Sequence, residues 1–410
     1  MSCVALIMGA CVGSAIFSIS GITISQAGPS AILSWFLAAA IFSAYGIVVT
    51  ELAGLYPESG GIYMFPKYAI GGSRGSFWGF ISSWGYIVSN TIAIAFSAIY
   101  FGSYLQAGFP VLGDRTSLAI IGFCVSAAIL FPGGKRSQRI QNALVVVLIC
   151  AMTVYCLTAF FGGHFNTGNF KGFFTSGSKG STGFLSAIPL ALVAYGGSIV
   201  IAFMAGDVRN PGKNIPRSLL LGLGAVSLIY IAIITAITGT LPLEELQKSE
   251  EARFIPLFAS ISVGSLKAFP YLAKVVSLCG AVALLTTVTA LLRVNAEAAR
   301  AMSGDKIKRN EAIVVMILIC VCLCFAKGWT MEMISLGAVL NIVSMTVTCI
   351  SLMKARKKVL ILPMSVIAVF IVCYVPETVK SGTRIWLFTA AVYAAGLIVF
   401  FLRKRFRENQ

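Results

Sequence analysis

Apolar residues gather into twelve runs, each near the length of a bilayer crossing, separated by short polar gaps along a chain of 410 residues. A helix needs about 20 apolar residues to cross the hydrocarbon layer. The first six runs fall near residues 2–24, 29–53, 76–105, 116–132, 140–162 and 184–207. The second six fall near 217–240, 269–302, 311–326, 330–353, 359–375 and 384–402, and the ninth is short. The gap at 54–75 is rich in Gly, Pro, Ser and Tyr and too long for a simple hairpin. It predicts a short amphipathic or re-entrant helix at the membrane face. No stretch reads as a soluble domain or a long linker.

The gaps carry the charge. Basic residues cluster at Lys135, Arg136, Arg139; at Arg209, Lys213, Arg217; and at Lys306, Lys308, Arg309. Further clusters are Lys354, Arg356, Lys357, Lys358 and the tail Arg403, Lys404, Arg405, Arg407. They recur between every second pair of runs, as the positive-inside rule requires. Both termini are therefore expected in the cytoplasm, with Glu244, Glu245, Glu250 and Glu251 outside. This pattern accounts for the net charge of +17 with no nucleic acid as partner. Only 11% of residues are charged and 58% are hydrophobic, where soluble domains carry roughly 25% charge. The mean hydropathy of +0.91 agrees. The expected architecture is an all-α polytopic membrane protein with about twelve transmembrane helices.

Chemistry-bearing residues are sparse. The eleven cysteines lie inside or at the edge of apolar runs. Cys320, Cys322 and Cys324 resemble a ligand run, but alternate residues do not share a helical face. They read as small, soft core residues. His164 is the only histidine, in an expected outer loop. No metal site, cofactor, nucleophile elbow or pair of catalytic carboxylates follows, so an enzyme is not expected. The first run lacks a basic n-region and a cleavage site, so it does not read as a signal peptide.

Two runs are interrupted. The first contains Gly13-Ser14-Ala15-Ile16-Phe17, and the sixth contains Ala194-Tyr195-Gly196-Gly197-Ser198. Irregular backbone at membrane depth survives only where it is buried or lines a cavity. Gly-interrupted spans at matching positions, five spans apart, point to a substrate site between two inverted repeats. The implied repeats are about 1–162 and about 184–353, followed by two peripheral helices at about 359–402.

These segments carry a resemblance. Gly13 to Phe17 is similar to the G-[ST]-[GA]-I-F of the first helix in the amino acid–polyamine–organocation (APC) superfamily of permeases. Glu51-Leu52 through Pro57-Glu58-Ser59-Gly60-Gly61-Ile62-Tyr63 resembles that family's E-L…P-x-[ST]-G-G-x-Y. Asp207 to Arg217 resembles its [ED]-V-x-N-P-x-[RK]-N-[IV]-P-[RK], and Leu241 to Leu246 its outer loop before the eighth helix. Arg293 to Asp305 resembles S-R-x-x-x-A-M-A-R-D-G, with departures. Together they cover nearly the whole chain. The resemblance implies the LeuT fold, alternating access and a plasma-membrane location. It also implies a short cytoplasmic tail before the first span, so an N-terminal truncation is expected.

An amino acid substrate is a zwitterion, and the two breaks suit its two ends. Helix N-termini present free N–H groups and partial positive charge, so Gly13, Ser14 and Ala15 are assigned the carboxylate. Carbonyls freed at Cys11 and Val12, and at Val193, Ala194 and Tyr195, are assigned the ammonium, with Gly196 and Gly197 completing the second break. Tyr195 either lines the pocket or fills a helix contact. Asn90, beside Ser89, either faces the cavity or packs between helices. Glu51 and Asp207, the latter with Arg209 and Lys213, are assigned to a cytoplasmic gate or structural pairing.

Two departures bear on the mechanism. Many bacterial members carry a Lys on the fifth helix beside the first break, and the alignment places Leu148 there. A lysine-based proton mechanism is therefore not expected, and sodium is the substitute, with Thr286 and Thr287 as candidate ligands. At Val193 many members place a bulky aromatic gate, so a looser gate or bulkier substrate is expected. The favoured reading is an amino acid permease or exchanger. A polyamine or organic cation antiporter requires an acidic side chain near a break, and neither break has one. A non-transporting nutrient sensor usually adds a cytoplasmic domain. No light-chain partner is expected, because no outer-loop cysteine is available to link one.

Overall fold

The computed structural model describes residues 2–58, 60–132, 134–203, 205–268, 270–304, 306–325, 330–357, 359–380 and 383–408. Every regular element among them is helical. In lipid only a helix satisfies its backbone within one segment, so each of the twelve apolar runs folds as helix. Their bounds lie within six residues of the sequence expectation.

The first run forms α1, Ser2–Cys11, and α2, Ser14–Ala27. Then follow α3 (Ala31–Leu55), the short α4 (Met64–Ile70), α5 (Gly72–Gly108), α6 (Arg115–Leu130) and α7 (Gly134–Phe161). The sixth run forms α8 (Gly183–Tyr195), a tight turn at Gly196–Ile199 and α9 (Val200–Phe203). Next are α10 (Pro211–Thr240), three short helices α11 (Leu243–Lys248), α12 (Glu250–Phe254) and α13 (Pro256–Ser262), and α14 (Pro270–Ser303). The chain ends with α15 (Arg309–Cys324), α16 (Thr330–Ala355), α17 (Ile361–Lys380) and α18 (Thr383–Glu408). Eight helical stretches among the described residues are long and apolar enough to cross a membrane, and shorter apolar helices accompany them. The chain is a multi-pass membrane protein.

Burial separates inner from outer helices. The most apolar stretches of α5 and α14 are 72% and 78% buried, whereas that of α18 is 17% buried. The buried side of α14 is built from small residues, including Ala281, Ala283, Ala290, Ala296 and Ala298. Small side chains let helices approach closely where lipid offers no hydrophobic drive for association.

The chain divides into two compact units. One comprises Met1–Phe42, Ile94–Ser198 and Leu220–Leu291; the other comprises Ser43–Ala93, Ile199–Leu219 and Leu292–Gln410. In the first unit, α2 packs along α8, α1 against α7, and α11, α12 and α13 against α2. Backbone bonds from Ser178 N–H to Ser25 O (2.9 Å) and Lys179 N–H to Gln26 O (3.1 Å) tie the 163–182 loop to the end of α2. Asp114 caps α6, accepting from the Ser117 hydroxyl and from the Thr116 and Ser117 N–H groups. These bonds, the Ser117 hydroxyl first, hold its carboxyl below the usual range.

In the second unit, α4 packs against α16, and α16 against α17 and α18. The long gap at 54–75 contains one tight turn, Gly61–Tyr63, followed by the seven-residue α4. The α5–α16 seam is joined by Ser82 and Ser344, each hydroxyl donating to the other residue's carbonyl, at 3.3 and 2.6 Å.

Candidate functional site

The first break is two residues long, Val12 and Gly13, between α1 and α2. Ser14 and Ala15, expected within the unwound segment, are instead the first residues of α2. No side chain caps the start of α2 and no acidic residue sits in its first turn. The first N–H groups of a helix have no partner within it, so the start of α2 is a donor surface of partial positive charge.

The second break presses on the first. A Cβ at residue 197 would stand 2.2 Å from the carbonyl oxygen of Ala10 and 2.8 Å from the nitrogen of Cys11. Only a glycine lets the two backbones meet this closely. Gly13 is crowded from another side: its Cβ would fall 1.5 Å from Thr287 Oγ1. Thr287 on α14 therefore lies directly against the first break. Its hydroxyl and that of Thr286 both donate to Ala283 O, at 3.3 and 2.6 Å, a common back-bond of threonine in helices.

The carbonyls of Cys11, Val193, Ala194 and Tyr195, expected to be freed at the breaks, have partners within the protein. The Tyr230 hydroxyl, on α10, donates to Cys11 O and lies 3.3 Å from Ala194 O. One hydroxyl thus reaches the ends of both broken helices. Val193 O accepts from the Gly196 N–H. Tyr195 O accepts from the Ser198 hydroxyl at 2.8 Å and faces the Cys11 thiol at 3.8 Å. Each carbonyl oxygen has two lone pairs, so one partner does not exhaust the oxygens of Cys11, Val193 and Ala194.

Tyr195 is fully buried. Its hydroxyl donates to Trp35 O at 3.2 Å, and its ring packs 5.3 Å from that of Tyr230. Val12 and Ala15 are buried, while Val193 and Gly196 are partly exposed. Leu148 is fully buried on α7, the helix that packs against α1. The side chains of Ser14 and Asp207 lie outside the described residues, as do Ser59 and Asp305 of the sequence motifs.

The remaining assigned residues sit elsewhere, in the second unit. Asn90 donates to Asn295 Oδ1 at 3.1 Å, and Asn295 donates to Ile87 O at 3.1 Å. This buried amide pair joins α5 to α14. Asn295→Ala leaves the Asn90 amide without its acceptor, an omission worth about 1–3 kcal/mol. The expected result is a lower unfolding temperature with substrate affinity retained, read by a thermal melt with and without substrate. Glu51 pairs with Arg356 at 3.1 Å, with both side chains more than a third exposed, so the pair contributes little to stability.

Sequence reasoning missed Tyr230, Trp35, Asn295 and Arg356. An aromatic residue inside an apolar run carries no positional signal. Asn295 was the exception available to it, since an amide within a span demands a partner.

An all-helical membrane protein with two interrupted spans meeting through a glycine belongs to the class of polytopic membrane transporters. The chain matches the amino acid permease family over residues 1–403 and belongs to it. That family is one of transporters, not enzymes. Among relatives, an uncharacterised transporter of Mycobacterium tuberculosis is 25% identical over 299 residues, covering 73% of this chain and 64% of the relative. The serine/threonine exchanger SteT of Bacillus subtilis is 29% identical over 254 residues, covering 59% of this chain and 54% of the relative. The aspartate-proton symporter of Bacillus subtilis is 31% identical over 256 residues, covering 58% and 47%. The matched region is thus less than two thirds of the length of these relatives.

Proposed function

We propose that this chain is a plasma-membrane carrier that moves an amino acid by alternating access, within a LeuT-like arrangement of two inverted five-helix repeats. The observation that carries the reading is the meeting of the two breaks, with the Tyr230 hydroxyl at Cys11 O and near Ala194 O. The substrate carboxylate binds the N–H groups at the start of α2 around Gly13, Ser14 and Ala15. The ammonium is received by the carbonyls of Cys11, Val12, Val193, Ala194 and Tyr195. Both termini face the cytoplasm, as the basic gaps favour.

Two relatives' names support an amino acid as cargo, a serine/threonine exchanger and an aspartate-proton symporter, while a third relative is a methylthioribose transporter. No acidic residue lies mid-span beside either break, which speaks against a polyamine. For coupling, the apolar Leu148 argues against a lysine proton carrier, and the contact of Thr287 with the first break favours sodium. The reading is tested by uptake of radiolabelled amino acids into proteoliposomes under a proton gradient, a sodium gradient, or internal unlabelled amino acid. Uptake of none by folded protein overturns it.

Tyr230 gives a sharper check. Its hydroxyl fixes the orientation of the carbonyls that receive the ammonium. Tyr230→Phe removes a buried bond to Cys11 O, a loss of about 1–3 kcal/mol. The expected result is a KM raised about tenfold with the maximal rate less affected. An unchanged or lower KM contradicts the assignment.

A further inference from the structure

The Tyr230 hydroxyl can reach both breaks only if its ring is held in place, and the structure assigns that task to Trp35: we propose that Trp35 is a positioning residue for substrate binding. The inference rests on the amino acid carrier reading above.

Trp35 is fully buried on α3. Its contacts are directed, not merely space-filling. The indole Nε1–H donates to Thr23 Oγ1 on α2 at 3.0 Å. Thr23 in turn donates to Ser20 O at 2.9 Å. This chain of bonds fixes the indole plane relative to the helix whose N-terminus receives the carboxylate. The ring then meets Tyr230 edge to face, with centroids 5.0 Å apart and planes at 89°. Such geometry places the positive edge of one ring on the negative face of the other. The backbone carbonyl of Trp35 accepts from the Tyr195 hydroxyl at 3.2 Å, and the two rings lie 6.4 Å apart.

One residue therefore touches three parts of the site: α2 through its ring nitrogen, Tyr195 at the end of α8 through its carbonyl, and Tyr230 through its ring. Trp35 touches no substrate in this arrangement. It acts by fixing where the Tyr230 hydroxyl stands, and hence how the Cys11 and Ala194 carbonyls point. Phenylalanine at this position keeps an aromatic ring but loses the Nε1 anchor, leaving Tyr230 free to shift.

A double-mutant cycle separates positioning from general packing. Uptake of tritiated serine, leucine and aspartate is measured in proteoliposomes for wild type, Trp35→Phe, Tyr230→Phe and the double variant, using whichever substrate wild type carries. Trp35→Phe is expected to raise KM about fivefold in the wild-type background and to have no further effect once the Tyr230 hydroxyl is absent. Equal effects in both backgrounds mean Trp35 does not act through Tyr230 and overturn the inference, while the carrier reading stands. No uptake by wild type overturns the carrier reading itself and the inference with it. If Trp35→Phe is not recovered as a monodisperse protein, Thr23→Val removes the anchor and keeps the indole. It is expected to raise KM in the wild-type background only.

Discussion

Gly197→Ala abolishes measurable uptake while leaving the helices formed. The methyl group would stand 2.2 Å from the Ala10 carbonyl oxygen and 2.4 Å from its carbon. Both are backbone atoms, so no rotamer change can relieve the contact. Either α1 or the second break must move, and with it the spacing of Cys11 O and Ala194 O around the Tyr230 hydroxyl. Overpacking of this kind costs about 1–3 kcal/mol or more, which reads as a loss of about a hundredfold in uptake. Circular dichroism and size-exclusion profiles are expected to match wild type, because the helical segments satisfy their own backbones. Uptake at the wild-type rate would mean that the two breaks do not meet in the working protein.

Gly13→Ala has the second largest effect, and its cause can be isolated. Here the crowding atom is a side chain, Thr287 Oγ1, at 1.5 Å from the position of the added methyl. Thr287 Cβ follows at 2.9 Å. The single variant is expected to lose uptake by about tenfold or more. Thr287→Ala should restore it in part, since Cβ still crowds the site, and Thr287→Gly should restore it further. The glycine costs about 1 kcal/mol within a helix, so recovery stays incomplete. The order Thr < Ala < Gly at residue 287, measured by initial uptake in the Gly13→Ala background, is the signature of a steric cause. The same series reports on sodium. A rescued protein that has lost its sodium dependence identifies Thr287 as a ligand as well as a neighbour.

The fold was largely legible in the sequence because lipid imposes a simple rule. A span must be apolar, helical and of bilayer length, so composition and period suffice to locate α3 and α14 within two residues and α5 and α10 within six. The breaks were legible because glycines interrupt such runs. What escaped was anything decided by partners distant in sequence. Cys11 and Ala194 were read as free carbonyls, yet both lie within reach of a hydroxyl on α10. Tyr230 sits in the run Leu228-Ile229-Tyr230-Ile231-Ala232, where nothing distinguishes it from a residue facing lipid. Asn90 had two readings open, and its amide lies against Asn295, 205 positions later. Glu51 was assigned to a cytoplasmic gate or structural pairing with no partner named, and it pairs with Arg356, 305 positions later. Trp35 offered no polar signal at all, because its indole nitrogen is satisfied by a threonine one helix earlier.

The chemistry implied by the site is carried mainly by backbone groups, which makes side-chain variation around it a matter of size and positioning. On the proposed reading, the breaks bind the amino acid backbone and the surrounding walls meet its side chain, an arrangement compatible with relatives as different as a serine/threonine exchanger and an aspartate-proton symporter.

The most direct test of the central claim is uptake of a radiolabelled amino acid panel into proteoliposomes holding wild type or Gly197→Ala, each shown to be folded. Accumulation of at least one amino acid by wild type and of none by Gly197→Ala is the predicted result. Equal accumulation by both, or none by wild type, contradicts an amino acid site built from the paired breaks.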